Sequence, residues 1–157
     1  MASAVVWISN GTWRGCVDAA RAWVPERLEV VLLHVSSDEP ADVAHGAYLG
    51  LLGRHRPDRD PSAQLEALDE AAAAELLDAA ASRLDRPAAR LQRRGRVEHV
   101  VVRAAGEAQL LVCARDGAVD RLGPRSLAPA TRFVVDHAPC PVLLAWPGPA
   151  PAVPARL

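Results

Sequence analysis

Arg115, Arg121 and Arg125 fall within one stretch, CARDGAVDRLGPRSLAPATRF, with Gly117 and Gly123 between them and a helix-like segment just beyond. Guanidinium groups grip phosphate oxygens through paired N–H donors, and glycines let backbone approach an anion at a helix N-terminus. The arginines are chemically able to hold a phosphate without backbone help, although the glycines are not spaced as a phosphate loop needs. A plainer role competes with phosphate binding, because Asp116 and Asp120 lie among the arginines and can pair with them. A second polar turn, Asn10-Gly11-Thr12, follows the first apolar run. Other chemically capable residues are scattered. His137 and Cys140 are spaced His-x-x-Cys, but a zinc site takes about four ligands and no second pair accompanies them; packing roles and no metal are expected. Ser9, Ser36 and Ser37 lack the Gly-x-Ser-x-Gly context of a nucleophile elbow. His34 ends an apolar run and reads as a hydrogen-bonded interior residue. His45, His55 and His99 have no evident catalytic partner. Arg93, Arg94 and Arg96 read as a solvated strand end. No catalytic constellation emerges, and a non-enzymatic chain is expected.

The elements that position these residues follow from hydrophobic period. AVVWIS (4–9) is a short β-rich run entering a turn. Trp13, Cys16, Val17, Ala20 and Val24 then share a helical face, with Thr12 as N-cap and Pro25 as stop. LEVVLLHV (28–35) is continuously apolar, as in a strand covered on both faces. The segment ADVAHGAYLGLLG (41–53) reads as a short helix, either a lid over a ligand or a cover for the sheet edge, and RHRPDRDP reads as an exposed loop. SAQLEALDEAAAAELLDAAASRL is the strongest helix, capped by Ser62, with Leu65, Leu68, Ala72, Leu76, Ala80 and Leu84 as its stripe. ARLQRRG (89–95) suits an edge strand, VEHVVVRAA a helix, AQLLVCA (108–114) a fourth strand. LAPATRFVVDHA is the last helix, with Ser126 as N-cap and Pro129 in its first turn. PVLLAW (141–146) is the fifth strand. Trp7, Trp13 and Trp23 read as core, Trp146 as an interface anchor.

Five strand–helix alternations imply right-handed crossovers and a parallel sheet with helices on both faces. Ligands of such sheets sit beyond the carboxyl ends of the strands. The chain has 157 residues and is 50% hydrophobic, enough for one domain with a real core. Residues 1–147 are read as that domain and 148–157 as a loose Pro-rich tail. Net charge is −1, from 18 basic and 19 acidic residues, which argues against nucleic acid or a membrane surface as partner. All basic residues are Arg, so any anion site must use guanidinium or backbone N–H groups. The three cysteines, Cys16, Cys113 and Cys140, are far apart, as in a reducing compartment. MASAVVWISNGTW lacks a leader's basic start, and a cytoplasmic chain is expected.

FVVDHAPCPVLLAW resembles the helix-to-last-strand signature of the universal stress proteins. VVWISNGT is similar to that family's opening strand and Val-Asp-Gly-Ser turn, and LHV and LLVCARDG also fit. The ARDG, LGP and ATRFVVDHAPC segments resemble a high-GC bacterial branch. The resemblance implies a sheet ordered 3-2-1-4-5 with the Rossmann-like adenine nucleotide alpha hydrolase fold, a stress-response role and dimers formed through the last strand, 141–146. An uncovered apolar edge strand also invites pairing on physical grounds. A tetramer remains open.

Nucleotide-binding members carry Gly-x-x-Gly and, after a fixed interval, Gly-Ser or Gly-Thr. The matching positions here are Arg115, Ala118, Ala128 and Pro129, and all four depart from the pattern. Pro129 removes a hydroxyl and a backbone N–H together. Asn10 stands for the family's adenine-facing Asp, and Thr12 keeps a hydroxyl. The resemblance thus implies a degenerate adenine-nucleotide site, built from Asn10, Gly11, Thr12, Val35, Arg115, Gly117, Arg125 and Ala128, that binds nucleotide weakly or not at all. The alternative is a stress switch that holds ATP or AMP by its loop arginines. A pure interaction module and an adenylyl-transfer or phosphatase enzyme are the more distant readings.

Overall fold

Residues 2–51 and 61–156 are described by the computed structural model. The chain runs β1 (Ser3–Trp7), α1 (Trp13–Trp23), β2 (Glu29–Ser36), α2 (Glu39–Leu51), α3 (Pro61–Leu84), β3 (Ala88–Arg94), α4 (Val97–Ala105), β4 (Leu110–Ala114), α5 (Pro129–His137) and β5 (Val142–Ala145). The strands form one sheet in the order β3-β2-β1-β4-β5. Every neighbouring pair is parallel. The parallel pairing is what the alternation implies, and the order is the one the resemblance implies.

Pleating sends alternate residues of each strand to opposite faces. Ala4, Val6, Ile8, Val30 and Leu32 pack with Cys16, Val17 and Ala20 of α1 and Leu77, Ala80 and Leu84 of α3. Val5, Trp7, Leu33, Val35, Leu111 and Cys113 pack with Val101 and Ala105 of α4 and Val134 of α5. Two separate apolar layers explain why β2 reads as a continuous apolar run. Leu32 and Leu33 are both fully buried, one on each face; truncating either to Ala would cost about 2–5 kcal/mol.

Several sequence expectations shift. Buried positions of α3 are Ala73, Leu77, Ala80 and Leu84, whereas Leu65 is 42% and Leu68 62% exposed. The reason is length. A helix of 24 residues spans about 36 Å at ~1.5 Å per residue, more than an eight-residue β2 of about 27 Å. Its first turns extend past the sheet, where α2 rather than the core lies beside them. Ser62 lies inside the helix, which begins at Pro61. Trp23 is 73% exposed and not core; it ends α1 on the solvent side, and the adjacent Val24 takes the buried position. Trp13 is half-buried against the α1–α3 layer. The predicted 41–53 helix forms as α2; residues 52 and 53, the polar loop and His55 lie outside the described residues.

Candidate functional site

β1 and β4 lie side by side at the centre of the sheet. The chain leaves β1 into α1 on one face and leaves β4 towards α5 on the other. That divergence opens a crevice at the carboxyl ends of the two strands, the place where such sheets take ligands.

The turn after β1 is sparsely tied. The Ser9 carbonyl accepts from the N–H groups of Thr12 at 3.3 Å and Trp13 at 3.1 Å. Gly11 has φ +84°, which disfavours any L side chain. Asn10 and Gly11 are exposed. Thr12 precedes α1 but its hydroxyl makes no capping bond. The sequence expectation of a Thr12 cap is therefore corrected: with φ −122° and ψ −13°, Thr12 departs from the extended geometry that aims a capping oxygen at the helix.

The loop after β4 is closed on itself. Gly117 N–H donates to Ser126 O at 3.0 Å and Ala118 N–H to Arg125 O at 2.8 Å, so the two arms zip together. A Cβ on Gly117 would lie 2.3 Å from Arg125 O and 2.9 Å from Ser126 C, a close approach only glycine permits. Gly123, at φ +114°, turns the chain into a short 3-10 segment, Pro124–Ser126. Ser126 is fully buried, and its hydroxyl donates to Gly123 O at 2.8 Å while accepting from Arg115 Nη1. Arg132 Nη2 donates to Pro124 O.

Asp116 joins this loop to α5. Its Oδ1 accepts from the Ala128 N–H at 2.9 Å, and its Oδ2 accepts from the Thr131 hydroxyl at 2.7 Å. Thr131 is itself buried. The start of a helix carries unsatisfied N–H groups and about half a positive charge. A phosphate at this spot would use those same donors and that same field. Here an internal carboxylate takes one of them, the Ala128 N–H, and lies in the same field. Pro129 at the first helical position has no N–H to offer, so the N-terminus of α5 is one donor short of an ordinary helix start.

Arg115 is also committed within the fold. Its backbone N–H donates to Ala145 O at 2.9 Å. Its guanidinium lies 4.6 Å from the Trp146 ring centroid, a cation–π arrangement, and reaches Ser126. Arg121 lies 3.9 Å from Asp120. Arg125 is exposed.

The residues expected to form one site thus divide. Arg115, Gly117, Arg125 and Ala128 share the β4–α5 loop, with Arg115 and Ala128 held by internal partners. Asn10, Gly11 and Thr12 share the β1 turn. Val35 lies in β2, which continues through Ser36, and its side chain is buried in the α4–α5 layer. Ser126 is a correction, since Gly123 and the 3-10 turn pull it inward and Ala128 occupies the N-cap of α5. His34 is half-buried, with Nδ1 2.9 Å from Ile8 O. His99 stacks on Phe133, and Phe133 on His137. Among the described residues, no group of three or more His, Cys, Asp or Glu could hold a metal ion.

Burial pushes the Cys16 thiol far above its ordinary range, and the nearby Cys113 and Asp116 add to the shift. Cys113 is pushed up to about 12, mainly by burial and then by Asp116. Both remain protonated at neutral pH and are poor nucleophiles. Sequence reasoning missed the role of Asp116. Its signal was a helix start, Leu127-Ala128-Pro129, with no capping side chain of its own.

No protein-family model and no curated protein sequence matches the chain. Solved structures do. The chain is similar to hypothetical protein MJ0577, with a TM-score of 0.68 and 13% identity over 92% of this chain and 95% of that one. It is similar to the universal stress protein UspA from Lactobacillus plantarum, with a TM-score of 0.58 and 19% identity over 92% and 97%. It also matches a universal stress protein solved in complex with cAMP, with a TM-score of 0.60 and 15% identity over 94% and 98%. The fold is therefore that of the universal stress proteins, a Rossmann-like α/β sheet. No helix among the described residues is long and apolar enough to cross a membrane.

Proposed function

We propose that the chain is a universal stress protein-type regulatory domain whose phosphate seat is occupied by its own Asp116. One observation carries this reading: the Asp116 carboxylate bonds Ala128 N–H and Thr131 Oγ1 at the start of α5. A nucleotide phosphate placed there would meet like charge and would have to displace two hydrogen bonds. The role is regulation in stress without catalytic turnover. The domain acts in the cytoplasm as a homodimer, joined through β5. That strand is paired with β4 alone, and its four residues are half-buried.

Calorimetry with ATP, AMP and cAMP, alongside mass spectrometry of the supernatant from denatured protein, tests the ligand claim. Flat titrations and no released nucleotide are expected. Binding in the micromolar range would overturn it. The second reading, an ATP or AMP switch, draws on the exposed Arg125 and on the cAMP bound by one structural relative. It requires that Arg125→Ala abolish any binding observed. Sedimentation equilibrium tests the dimer, and Leu143→Pro in β5 should yield monomers.

A further inference from the structure

A second cavity lies away from the crevice, between α4 and the β3 side of the sheet, with a volume of about 330 Å³. Its apolar walls include Val31 and Leu91 from the strands and Val100 and Ala104 from the helix. These four residues are only partly buried, although each packs against the α4–α5 layer. They form an apolar surface that the fold leaves incompletely covered. Arg93 and Arg103 also line the cavity, with Glu107 at the end of the helix.

The charges on this side of the molecule are sorted. Arg90 pairs with Asp78, Arg94 with Asp38 and Asp69, and Arg96 with Glu98. Arg93 bonds only the backbone carbonyl of Gln92, at 3.0 Å, and neither it nor Arg103 has a carboxylate partner among the described residues. The two arginines of β3 and α4 that lack an acid partner both line the apolar groove, beside the already paired Arg94. Glu107, one turn beyond Arg103, makes no ion pair with it. A groove with an apolar wall and two available guanidinium forks matches a ligand with an anionic head and an apolar body. Its volume sits at the small end of the roughly 300–1,000 Å³ typical of ligand pockets.

We propose that this groove is a binding site for a small amphipathic carboxylate, with the apolar chain against Leu91 and Val100 and the carboxylate held by Arg93 and Arg103. The proposal is independent of whether nucleotide binds in the crevice.

The test is an NMR titration of the full-length protein with octanoate, read at the backbone amides of Leu91 and Val100. 1-Octanol and acetate serve as head-less and tail-less controls. Saturable shifts with a Kd on the order of 0.1–1 mM are expected for a ligand of this size, with both controls clearly weaker. Arg103→Gln and Arg93→Gln should each weaken octanoate about fivefold, as for a solvent-accessible ion pair. Both are surface changes that should leave the fold intact. Val100→Trp should fill the groove and abolish the shifts. Absence of shifts, equal binding of 1-octanol, or affinity unchanged in the Arg93→Gln/Arg103→Gln double variant would overturn the proposal. Binding to phosphatidylglycerol vesicles without binding to octanoate would overturn it too, in favour of a membrane surface.

Discussion

The turn after β1 and the loop after β4 stand at the ends of adjacent strands, yet they satisfy their polar groups in opposite ways. The β1 turn is short and exposed, with Ser9 O as its main internal acceptor and no side-chain cap on the helix that follows. The β4 loop supplies its own partners: Gly117 to Ser126, Ala118 to Arg125, Arg115 to Ser126 and Trp146, and Asp116 to the start of α5. An anion-binding loop must leave donors unpaired until its ligand arrives. In the β4 loop the N–H groups of Gly117, Ala118, Ser126 and Ala128 are already paired within the chain, so rigidity there comes from the chain itself. The contrast shows that a loop without the glycine motif can be a built structural unit. Arg115, Ala118, Ala128 and Pro129 stand where the resemblance leads one to expect glycines and a hydroxyl, and Arg115 and the neighbouring Asp116 tie the loop to β5 and α5.

Substitutions that strike the two regions unequally would break this comparison. Gly117→Val should have the largest effect, roughly 3 kcal/mol of lost stability in urea unfolding, because the new side chain meets the backbone of Arg125 and Ser126. Next comes Asp116→Ala. It leaves Ala128 N–H and the buried Thr131 hydroxyl without their acceptor, which should cost about 2 kcal/mol and lower the melting temperature. Gly11→Ala should cost about 1 kcal/mol, from its positive φ alone, since no atom lies within 4 Å of the added Cβ. Thr12→Ala should fall within about 0.5 kcal/mol of the parent, as befits a residue without a capping bond. If Thr12→Ala proved as costly as Asp116→Ala, the β1 turn would not be the loosely tied partner described here. One sharpening test remains. Asp116→Gly should remove the charge at the start of α5, and ATP binding gained in that variant alone would identify Asp116 as what keeps phosphate out.

The type and position of the strands and helices were legible because the 2.0 and 3.6 periods carry them, whereas the strand order came from the resemblance. LEVVLLHV could hardly be anything but a central strand, and β2 falls within a residue of that reading. The stripe on α3 was misplaced because Ala-rich sequence offers several equivalent faces, and only packing selects among them. Ser126 was misplaced for a different reason. The backbone path set by Gly123 at φ +114° is a local decision with no periodic signature. Asp116 was hardest to read. Its partners, Ala128 and Thr131, become neighbours only once the loop has folded back, and a count of missing glycines says nothing about what takes their place.

The packing at Gly15 has a consequence for how the chain folds. A Cβ there would lie 2.7 Å from Pro147 Cα and 2.8 Å from Trp146 O, so the first helix and the segment after the last strand touch backbone to backbone. Nearly the whole chain lies between these two points, making this among the most non-local contacts the sequence can form. Such contacts carry a high loop-closure cost and are expected to form late. A nascent chain still missing Trp146 and Pro147 cannot complete the first helix's packing. Emergence of β5 and Pro147 from the ribosome, rather than synthesis of the central strands, should mark the moment when the domain becomes resistant to proteases.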